Sequence, residues 1–296
     1  MIPLPYKNTM PGTERFVDGE DGSRLRTLFL QPDDGSTKAR TVVLAHGFGS
    51  DANSWAILAP KLAGQGFAVL AFDQRCHGSS TAGRNGVSTA AMISDYGAIV
   101  DAYDLRDAIL VGHSMGGFLS LAFLLEGRED SVARIGALML MATFAGNVTK
   151  DAPQNKLQIP LIKYGVLQKL LRVDPIKHGF TKSLVGDHYH QDMAEAFVPG
   201  FLRADHQQLI PILEAMVEED RYSLLPTLDM PCTVVVGTED KTTPEFHSVA
   251  LHEGIAGSRS VALIGSGHAL NWEAPDQVAA LIDELNSVSK AQGPSD

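Results

Sequence analysis

Ser114 lies in the run GHSMGG at positions 112–117, which matches the pattern G-x-S-x-G. An apolar segment typical of a buried strand precedes this run, and a segment with helical spacing follows it. A serine at such a turn is lifted clear of the sheet, and glycine at 112 and 116 lets strand and helix approach closely. We therefore expect Ser114 to be a nucleophile and the Met115 N–H to be an oxyanion donor. The alternative is a helix-start serine with packing glycines.

The sequence HGFG at 46–49 follows the first long apolar segment, Thr41–Ala45. A loop at this position can supply a second donor to a developing oxyanion, and we assign that role to the Phe48 N–H. The flanking glycines let the backbone come close to a substrate carbonyl. Taken alone, HGFG fits a plain strand-to-helix turn equally well.

A serine hydroxyl is a weak nucleophile until a base takes its proton, and the chain offers ten histidines. His268 comes just beyond the last predicted strand, at the carboxyl edge of the sheet where catalytic groups gather. It is our candidate base, and a solvated loop histidine is the alternative. His46 and His113 belong to tight turns beside the serine, where we expect them to pack against or shape the site. With Gly47 they are also candidates for contacting the substrate. His77 lies in a nearby loop.

A catalytic histidine needs a carboxylate to hold its tautomer and stabilise the imidazolium. Asp240 follows the apolar segment 232–237 and so falls on the same sheet edge as Ser114 and His268. The chain order Ser, Asp, His is the one that this arrangement requires. Glu239, one residue earlier, is the rival acid, and a solvated loop acid is the alternative for either. No acid follows the preceding strand, where Ala-Thr-Phe stands at 142–144.

These residues lie at the ends of apolar segments that alternate with helical ones. The predicted strands are Thr13–Asp18, Arg24–Gln31, Thr41–Ala45, Phe67–Phe72, Asp107–Gly112, Ile135–Thr143, Cys232–Gly237 and Ser260–Ile264. The predicted helices between them are Asn53–Ala63, Ser88–Tyr103, Met115–Glu126, Pro244–Glu253 and Ala274–Val288. The alternation predicts a doubly wound, mostly parallel, eight-stranded α/β sheet flanked by helices.

The alternation stops between residues 146 and 225, where helical patches such as Leu161–Leu171 and Gln207–Glu219 occur without a convincing buried strand. We interpret this segment as a helical cap, or lid, inserted into a core domain formed by residues 1–145 and 226–296. Several apolar residues at helical spacing are candidates for an acyl pocket, with simple cap core as the alternative. They are Leu157, Ile159, Leu161, Ile162, Val166, Leu167 and Leu170.

The cap also holds histidines and acids at spacings that can bind zinc, although a wet polar helix face explains them equally. They are His178, Asp187, His188, His190, Asp192 and His206, with Tyr189 among them. We predict no metal and no cofactor. Cys76 and Cys232 are far apart and form no metal-like spacing, so reduced, partly buried thiols are expected, with a bridge between them as the alternative.

The composition, 44% hydrophobic and 20% charged, is that of an ordinary globular protein. The net charge of −11, with no basic run, makes nucleic acid and anionic lipid poor partners and favours a neutral or apolar small-molecule substrate. Met1–Lys7 lacks the apolar core of a signal peptide, and Ile135–Ala145 is too short to span a bilayer. A cytoplasmic protein without stable membrane insertion is therefore expected, with export after removal of a leader as the alternative. The oligomeric state is not predicted.

Together these motifs resemble the α/β-hydrolase superfamily, particularly its esterase and lipase-like members with a helical cap. The matching motifs are HGFG at 46–49, DQRCHGSS at 73–80, GHSMGG at 112–117, the segment 237–244, and GH at 267–268 followed by EAP at 273–275. They fall within about half of the chain, 41–126 and 231–285. The resemblance implies an acyl-enzyme mechanism and hydrolysis of a carboxylic ester.

The chain departs from the family at Cys76, where members usually have glycine. The same triad can also serve a lactonase, an amidase, a carbon–carbon bond hydrolase or a cofactor-free perhydrolase. Serine at 114 argues against haloalkane dehalogenases and epoxide hydrolases, which use aspartate there. A hypothesis of another class is a small-molecule receptor built on this fold.

Overall fold

The computed structural model describes residues 9–32 and 40–291, and it contains one eight-stranded sheet. The strands are β1 (Thr13–Asp18), β2 (Arg24–Leu30), β3 (Thr41–Ala45), β4 (Ala68–Phe72), β5 (Ala108–His113), β6 (Ile135–Met141), β7 (Cys232–Gly237) and β8 (Arg259–Leu263). Their order across the sheet is β1-β2-β4-β3-β5-β6-β7-β8. Strand β2 is antiparallel to both of its neighbours, and all other pairs are parallel. The predicted sheet is confirmed.

Helices cover both faces of this sheet. Those outside the segment between β6 and β7 are α1 (Leu58–Gly64), α2 (Thr89–Ala102), α3 (Met115–Glu126), α4 (Glu129–Val132), α10 (Glu245–Gly254), α11 (Leu270–Glu273) and α12 (Pro275–Ala291). Those within that segment are α5 (Pro153–Lys163), α6 (Val166–Leu170), α7 (Asp174–Leu184), α8 (Gln191–Arg203) and α9 (Ile210–Glu218). Short 3₁₀ helices span Ala52–Trp55 and Tyr222–Thr227.

Alternate residues of the central strands enter two separate apolar cores. Val42 and Leu44 of β3 pack with α1 and α12 on one face, whereas Val43 packs with α2, α3 and α10 on the other. Because side chains alternate across a strand, a strand covered on both faces must be apolar throughout. This explains why β3 and β5 form continuous apolar runs. Their carboxyl ends share one edge because the two strands are parallel.

Between β6 and β7 the described chain contains helices and no strand, as the sequence predicts, but two helix boundaries differ. The predicted patch Leu161–Leu171 is divided at Gly165, which adopts a left-handed φ of 67° between α5 and α6. The predicted helix Gln207–Glu219 begins only at Ile210, because Pro211 lacks an N–H and fits the first helical turn. The predicted helix Asn53–Ala63 is likewise a 3₁₀ turn, capped by the Asp51 side chain, followed by α1.

No helix in the described ranges is both long enough and apolar enough to cross a bilayer. The segment Met1–Lys7, on which the expected absence of a leader was based, lies outside those ranges. The cytoplasmic location therefore stays a prediction.

The glycines around Ser114 bring β5 and α3 into backbone contact. A Cβ atom at Gly112 would lie 2.5 Å from the Gly117 Cα atom, and one at Gly116 would meet the Ala45 carbonyl oxygen. Real Cβ atoms do not approach backbone so closely, so any side chain there must displace the helix or the strand.

We expect Gly112→Ala to lower the free energy of unfolding by about 1–3 kcal/mol, because the new methyl group has no free volume. Gly97→Ala in α2 is the matched control. Its Cβ would be 3.7 Å from the Ser131 Oγ atom, an ordinary contact, so the substitution should raise stability by about 0.5–1 kcal/mol. Urea unfolding of both variants measures the difference. Equal stabilities of the two variants would refute the close-approach argument.

Candidate active site

Ser114 occupies a strained turn between β5 and α3. Its backbone has φ 53° and ψ −121°, a conformation that non-glycine residues rarely adopt. Neighbouring residues hold it there: the Ser114 N–H donates to the Met141 carbonyl at 3.0 Å, and the Thr143 hydroxyl donates to the Ser114 carbonyl at 2.6 Å. The two bonds tie the turn to the end of β6 and to the residues that follow it.

The loop after β3 closes over this serine. A Cβ at Gly47 would lie 3.1 Å from the Ser114 Cβ, so the loop backbone is as near as a glycine allows. Met115 is the first residue of α3, and its N–H therefore has no acceptor within the helix. In the described ranges neither this N–H nor that of Phe48 donates to a backbone or side-chain acceptor. Both predicted oxyanion donors are thus unpaired beside the serine turn.

Two buried histidines, His46 and His77, connect the 46–49 loop to the loop that follows β4. The His46 Nε2 atom accepts the Gln74 N–H at 3.0 Å, and the His77 Nε2 atom accepts the Gly49 N–H at 3.0 Å. Since each Nε2 is an acceptor, each proton is on Nδ1, where it can donate to the carbonyl of Gly47 or Arg75. Burial lowers the pKa of both histidines, so both are neutral. They hold the loop and do not border the cavity.

Asp240 and His268 form a hydrogen-bonded pair at the carboxyl edge. The His268 Nδ1 atom lies 2.9 Å from the Asp240 Oδ2 atom, and the carboxylate side chain is fully buried. It also accepts from the Thr242 N–H, the Thr243 N–H and the Thr243 hydroxyl at 2.7–2.9 Å. Burial alone would raise the pKa of Asp240. The charge and hydrogen bond of His268, together with the bonds from Thr243, outweigh this effect and lower the pKa below its usual value. The rival Glu239 is exposed.

Ser114 and His268 border the same cavity, whose volume is about 140 Å³. Within the described residues no hydrogen bond joins the serine hydroxyl to the imidazole; in unliganded sites such bonds are often long or poorly aligned. His113 also borders the cavity, and its Nε2 atom lies 2.8 Å from the His268 carbonyl oxygen. Burial lowers the pKa of His113 to about 3, so it supports the His268 loop as a neutral group.

The helical segment 146–225 is bonded directly to the His268 loop. The His268 N–H donates to the Leu184 carbonyl at 2.7 Å. The Glu273 carboxylate accepts N–H groups from Gly186 in that segment and from Gly267 and Ala269, which flank His268, at 2.7–3.1 Å. Burial raises the pKa of Glu273 although these three bonds oppose the shift. In the sequence Glu273 stands out only as part of the EAP motif, and no spacing in the chain indicates these hydrogen bonds.

The same segment is also bonded to the loop that carries the acid. The Asn155 amide donates to the Thr242 carbonyl at 2.8 Å, and the Gln154 amide donates to the Thr242 hydroxyl at 2.8 Å. Thr242 in turn donates its N–H to Asp240. Thus the acid and the base of the predicted triad are each held by the inserted helices.

The cavity is lined mainly by apolar side chains of the inserted helices. They include Ile159, Ile162, Phe180, Phe197, Phe201 and Met216. Of the predicted acyl-pocket residues, only Ile159 and Ile162 border the cavity. Leu167 is buried and Leu161 half-buried outside its lining, and Leu157, Val166 and Leu170 are exposed. The polar lining groups of the cavity include the uncharged Asn271 and Thr181, and among the described lining residues there is no lysine, arginine, aspartate or glutamate.

In the histidine-rich stretch 178–206, His178 and His206 form hydrogen bonds to other residues of the same stretch. His178 bonds to the Tyr189 hydroxyl at 2.8 Å, and His206 bonds to the Phe201 carbonyl. No group of three or more metal-ligating side chains occurs in the described ranges.

Cys76 and Cys232 are buried thiols that form no disulfide. Cys76 has a φ of 63°, the left-handed region that favours glycine, which explains why glycine is usual there. Burial raises its pKa to about 11, so its thiol is protonated and unreactive at neutral pH.

This chain is similar to known proteins both in sequence and in fold. The curated 2-hydroxy-6-oxononadienedioate/2-hydroxy-6-oxononatrienedioate hydrolases of Klebsiella pneumoniae and Escherichia coli K12 are each 28% identical to this chain. The alignments cover 96% of this chain and 98% of the first protein, and 93% and 96% for the second.

Solved structures with the same fold include an esterase from Exiguobacterium antarcticum (TM-score 0.79, 22% identity, 94% of this chain and all of that one). The enol-lactonase of Burkholderia xenovorans LB400 is similar (TM-score 0.76, 21% identity, 92% and 100%). The family model described as alpha/beta hydrolase family matches residues 42–281. This match spans most of the sequence and agrees with the sheet order and the hydrolase relatives, and the chain therefore belongs to the alpha/beta hydrolase family.

Proposed function

We propose that this hydrolase cleaves carboxylic esters of small or medium, neutral to apolar substrates through an acyl-enzyme intermediate. The observation that carries the proposal is the buried Asp240–His268 pair at the rim of the cavity that also exposes Ser114. A strained serine, an oriented histidine and two unpaired N–H groups around one cavity are the parts that acyl transfer requires.

In this mechanism the Nδ1–H of His268 is bonded to Asp240, so Nε2 is the basic nitrogen. The Ser114 hydroxyl loses its proton to Nε2 as its oxygen attacks the ester carbonyl, and the N–H groups of Phe48 and Met115 bind the oxyanion. Collapse of this intermediate releases the alcohol, which takes the proton from His268. Water then adds to the acyl-enzyme by the same route and releases the acid. Asp240 stays ionised and stabilises the imidazolium in both steps.

The cavity lining supports a neutral substrate. The curated relatives are named for a dioate, a substrate with two carboxylates. Moving a carboxylate into an apolar cavity is costly unless a cation or several donors meet it. The described lining of this cavity offers no lysine or arginine. Ester or lactone carbonyls with apolar acyl groups therefore fit the site better than a dicarboxylate.

A carbon–carbon bond hydrolase is the second candidate, because the 28% identity to such enzymes extends over nearly the full length of both chains. The two activities differ in the bond that is broken and can be separated by substrate. Residues 146–225 cover the site in either case, because their hydrogen bonds to the loops of Asp240 and His268 hold them against the core.

Glu273 acts in this proposal as a positioning residue for His268. Its carboxylate accepts N–H groups from Gly267 and Ala269, on either side of the histidine, and from Gly186 in the segment 146–225. These bonds fix the position of the imidazole relative to Ser114. A glutamine has the same size, but its NH₂ group cannot accept, so at least one of these N–H groups loses its partner.

Ser114→Ala should reduce kcat for p-nitrophenyl butyrate by about 10⁴- to 10⁶-fold, because the nucleophile is lost. Asp240→Asn should reduce it by about 10³- to 10⁴-fold, because the histidine adopts the wrong tautomer. Steady-state kinetics measures both, and Glu239→Gln is the control that should keep wild-type activity. Near-full activity in Asp240→Asn would transfer the role of the acid to Glu239. A single slow turnover by the wild type would favour the receptor hypothesis.

Glu273→Gln should lower kcat by roughly 10- to 100-fold while KM changes little, since a bond to a charged acceptor contributes about 1.5–3 kcal/mol. Hydrogen exchange at the Gly186 and Gly267 amides should accelerate in the folded variant. Glu253→Gln, an exposed change on α10, is the control. Wild-type kcat together with unchanged exchange at these amides would show that Glu273 does not position His268.

p-Nitrophenyl butyrate should exceed the p-nitrophenyl half-ester of succinate in kcat/KM by at least about 10²-fold. The two acyl chains have the same length, but the second carries a carboxylate into a site without a cation, at a cost of several kcal/mol. Spectrophotometric assay of both esters measures the ratio. Equal rates, or rapid cleavage of a 2-hydroxy-6-oxodienoate, would favour the carbon–carbon bond hydrolase.

A further inference from the structure

Positive charge in this acidic protein is concentrated on residues 153–184, which form helices α5 to α7. Residues 153–184 contain six lysines and arginines and a single acid, Asp174, whereas the whole chain has 24 basic and 35 acidic residues. Lys163 and Lys177 are paired with acids at 2.6–3.0 Å. The other four cations are exposed and form no salt bridge with the described residues. They are Lys156, Lys169, Arg172 and Lys182.

The same helices expose apolar side chains. Of the eleven large apolar side chains that are exposed in the described ranges, six fall between residues 157 and 176. They are Leu157, Tyr164, Val166, Leu170, Val173 and Ile176. Tyr164 is 81% exposed and Leu157 is 67% exposed. We name these six residues, with the four unpaired cations, the basic–apolar cap surface.

Helix α5 connects this surface to the cavity. Asn155, Ile159 and Ile162 lie on its inner side and border the cavity, whereas Leu157 and Tyr164 lie on its outer side. Residues three, four or seven apart share a helix face, so both faces follow from the sequence spacing. The surface is therefore separated from the cavity by one helix.

We propose that the basic–apolar cap surface docks on the anionic surface of a lipid bilayer. Basic side chains beside exposed aliphatic and aromatic ones are the chemistry of interfacial binding: the cations attract anionic headgroups, and the apolar groups enter the headgroup boundary. The acidic remainder of the protein is repelled by the same membrane, which orients the molecule with the basic–apolar cap surface toward the lipid. This attachment needs no membrane-spanning helix.

A symmetric pair of copies is the competing occupant. Two-fold pairing through this surface would bring both sets of four unpaired cations into one interface, where Asp174 is the single acid that residues 153–184 of each copy supply. Like charges across an interface oppose such contact, whereas anionic lipid neutralises them. Charge complementarity therefore selects the bilayer. The proposal stands independently of the bond that the enzyme cleaves.

The test is flotation of the full chain with vesicles of phosphatidylcholine alone or with 30% phosphatidylglycerol. We expect binding to the anionic vesicles that weakens in 0.5 M NaCl, because salt screens the attraction. The double variant Lys169→Glu/Arg172→Glu should bind at least about ten-fold more weakly. Tyr164→Ser/Leu170→Ser should also weaken binding, although its charge is unchanged.

The control is Arg106→Glu/Arg259→Glu, which makes the same charge change at the amino edge of the sheet, next to β5 and β8. It should bind like the wild type, and circular dichroism melting verifies that all variants fold. Absence of wild-type binding to anionic vesicles, or an equal loss in the control, would overturn the proposal. So would a dimer in light scattering that Lys169→Glu/Arg172→Glu dissociates, because the surface would then join two copies.

Discussion

The close approach of β5, α3 and the 46–49 loop around Ser114 is the constraint on which the rest of the site depends. Glycine at 112 and 116 permits backbone to contact backbone, and glycine at 47 leaves room for the Ser114 side chain. The strained φ of Ser114 is held by bonds to Met141 and Thr143. Strain of this kind persists only where the surrounding structure determines it. Here two buried cores and a mostly parallel sheet supply that support. Among the described residues the Met115 N–H, at the start of a helix, has no hydrogen-bond acceptor.

The helices between β6 and β7 are hydrogen-bonded to the loops that carry Asp240 and His268, and they also line the cavity beside Ser114. Asn155 and Gln154 hold the Thr242 loop, and Leu184 and Gly186 hold the loop of His268. Because the same helices line the cavity, we expect a change in the cavity lining to be coupled to the positions of Asp240 and His268. On the side of the cavity that the sheet forms, His46, His77 and His113 are buried. Burial lowers their pKa values, so they are neutral and add no unpaired charge beside the apolar site.

The sheet and the placement of Ser114, Asp240 and His268 could be predicted because both follow from local patterns. Apolar runs mark buried strands, and the carboxyl ends of parallel strands meet at one edge. The Glu273 bonds could not be predicted, because they join residues 186 and 267–269, which only the tertiary structure brings together. The break at Gly165 depends on a left-handed backbone that helical spacing conceals. The exposed cap surface was missed because the net charge averages its cations with acids elsewhere.

The central claim is that Ser114 is a nucleophile activated at this strained turn. Its most direct test is reaction of the protein with a fluorophosphonate, followed by intact-mass and peptide mass spectrometry. The account predicts a single adduct on the peptide that carries Ser114, formed rapidly and in stoichiometric amount, because the activated hydroxyl attacks phosphorus as it attacks a carbonyl. An ester-hydrolysing preparation that remains unlabelled, or that carries its adduct on another residue, would contradict it.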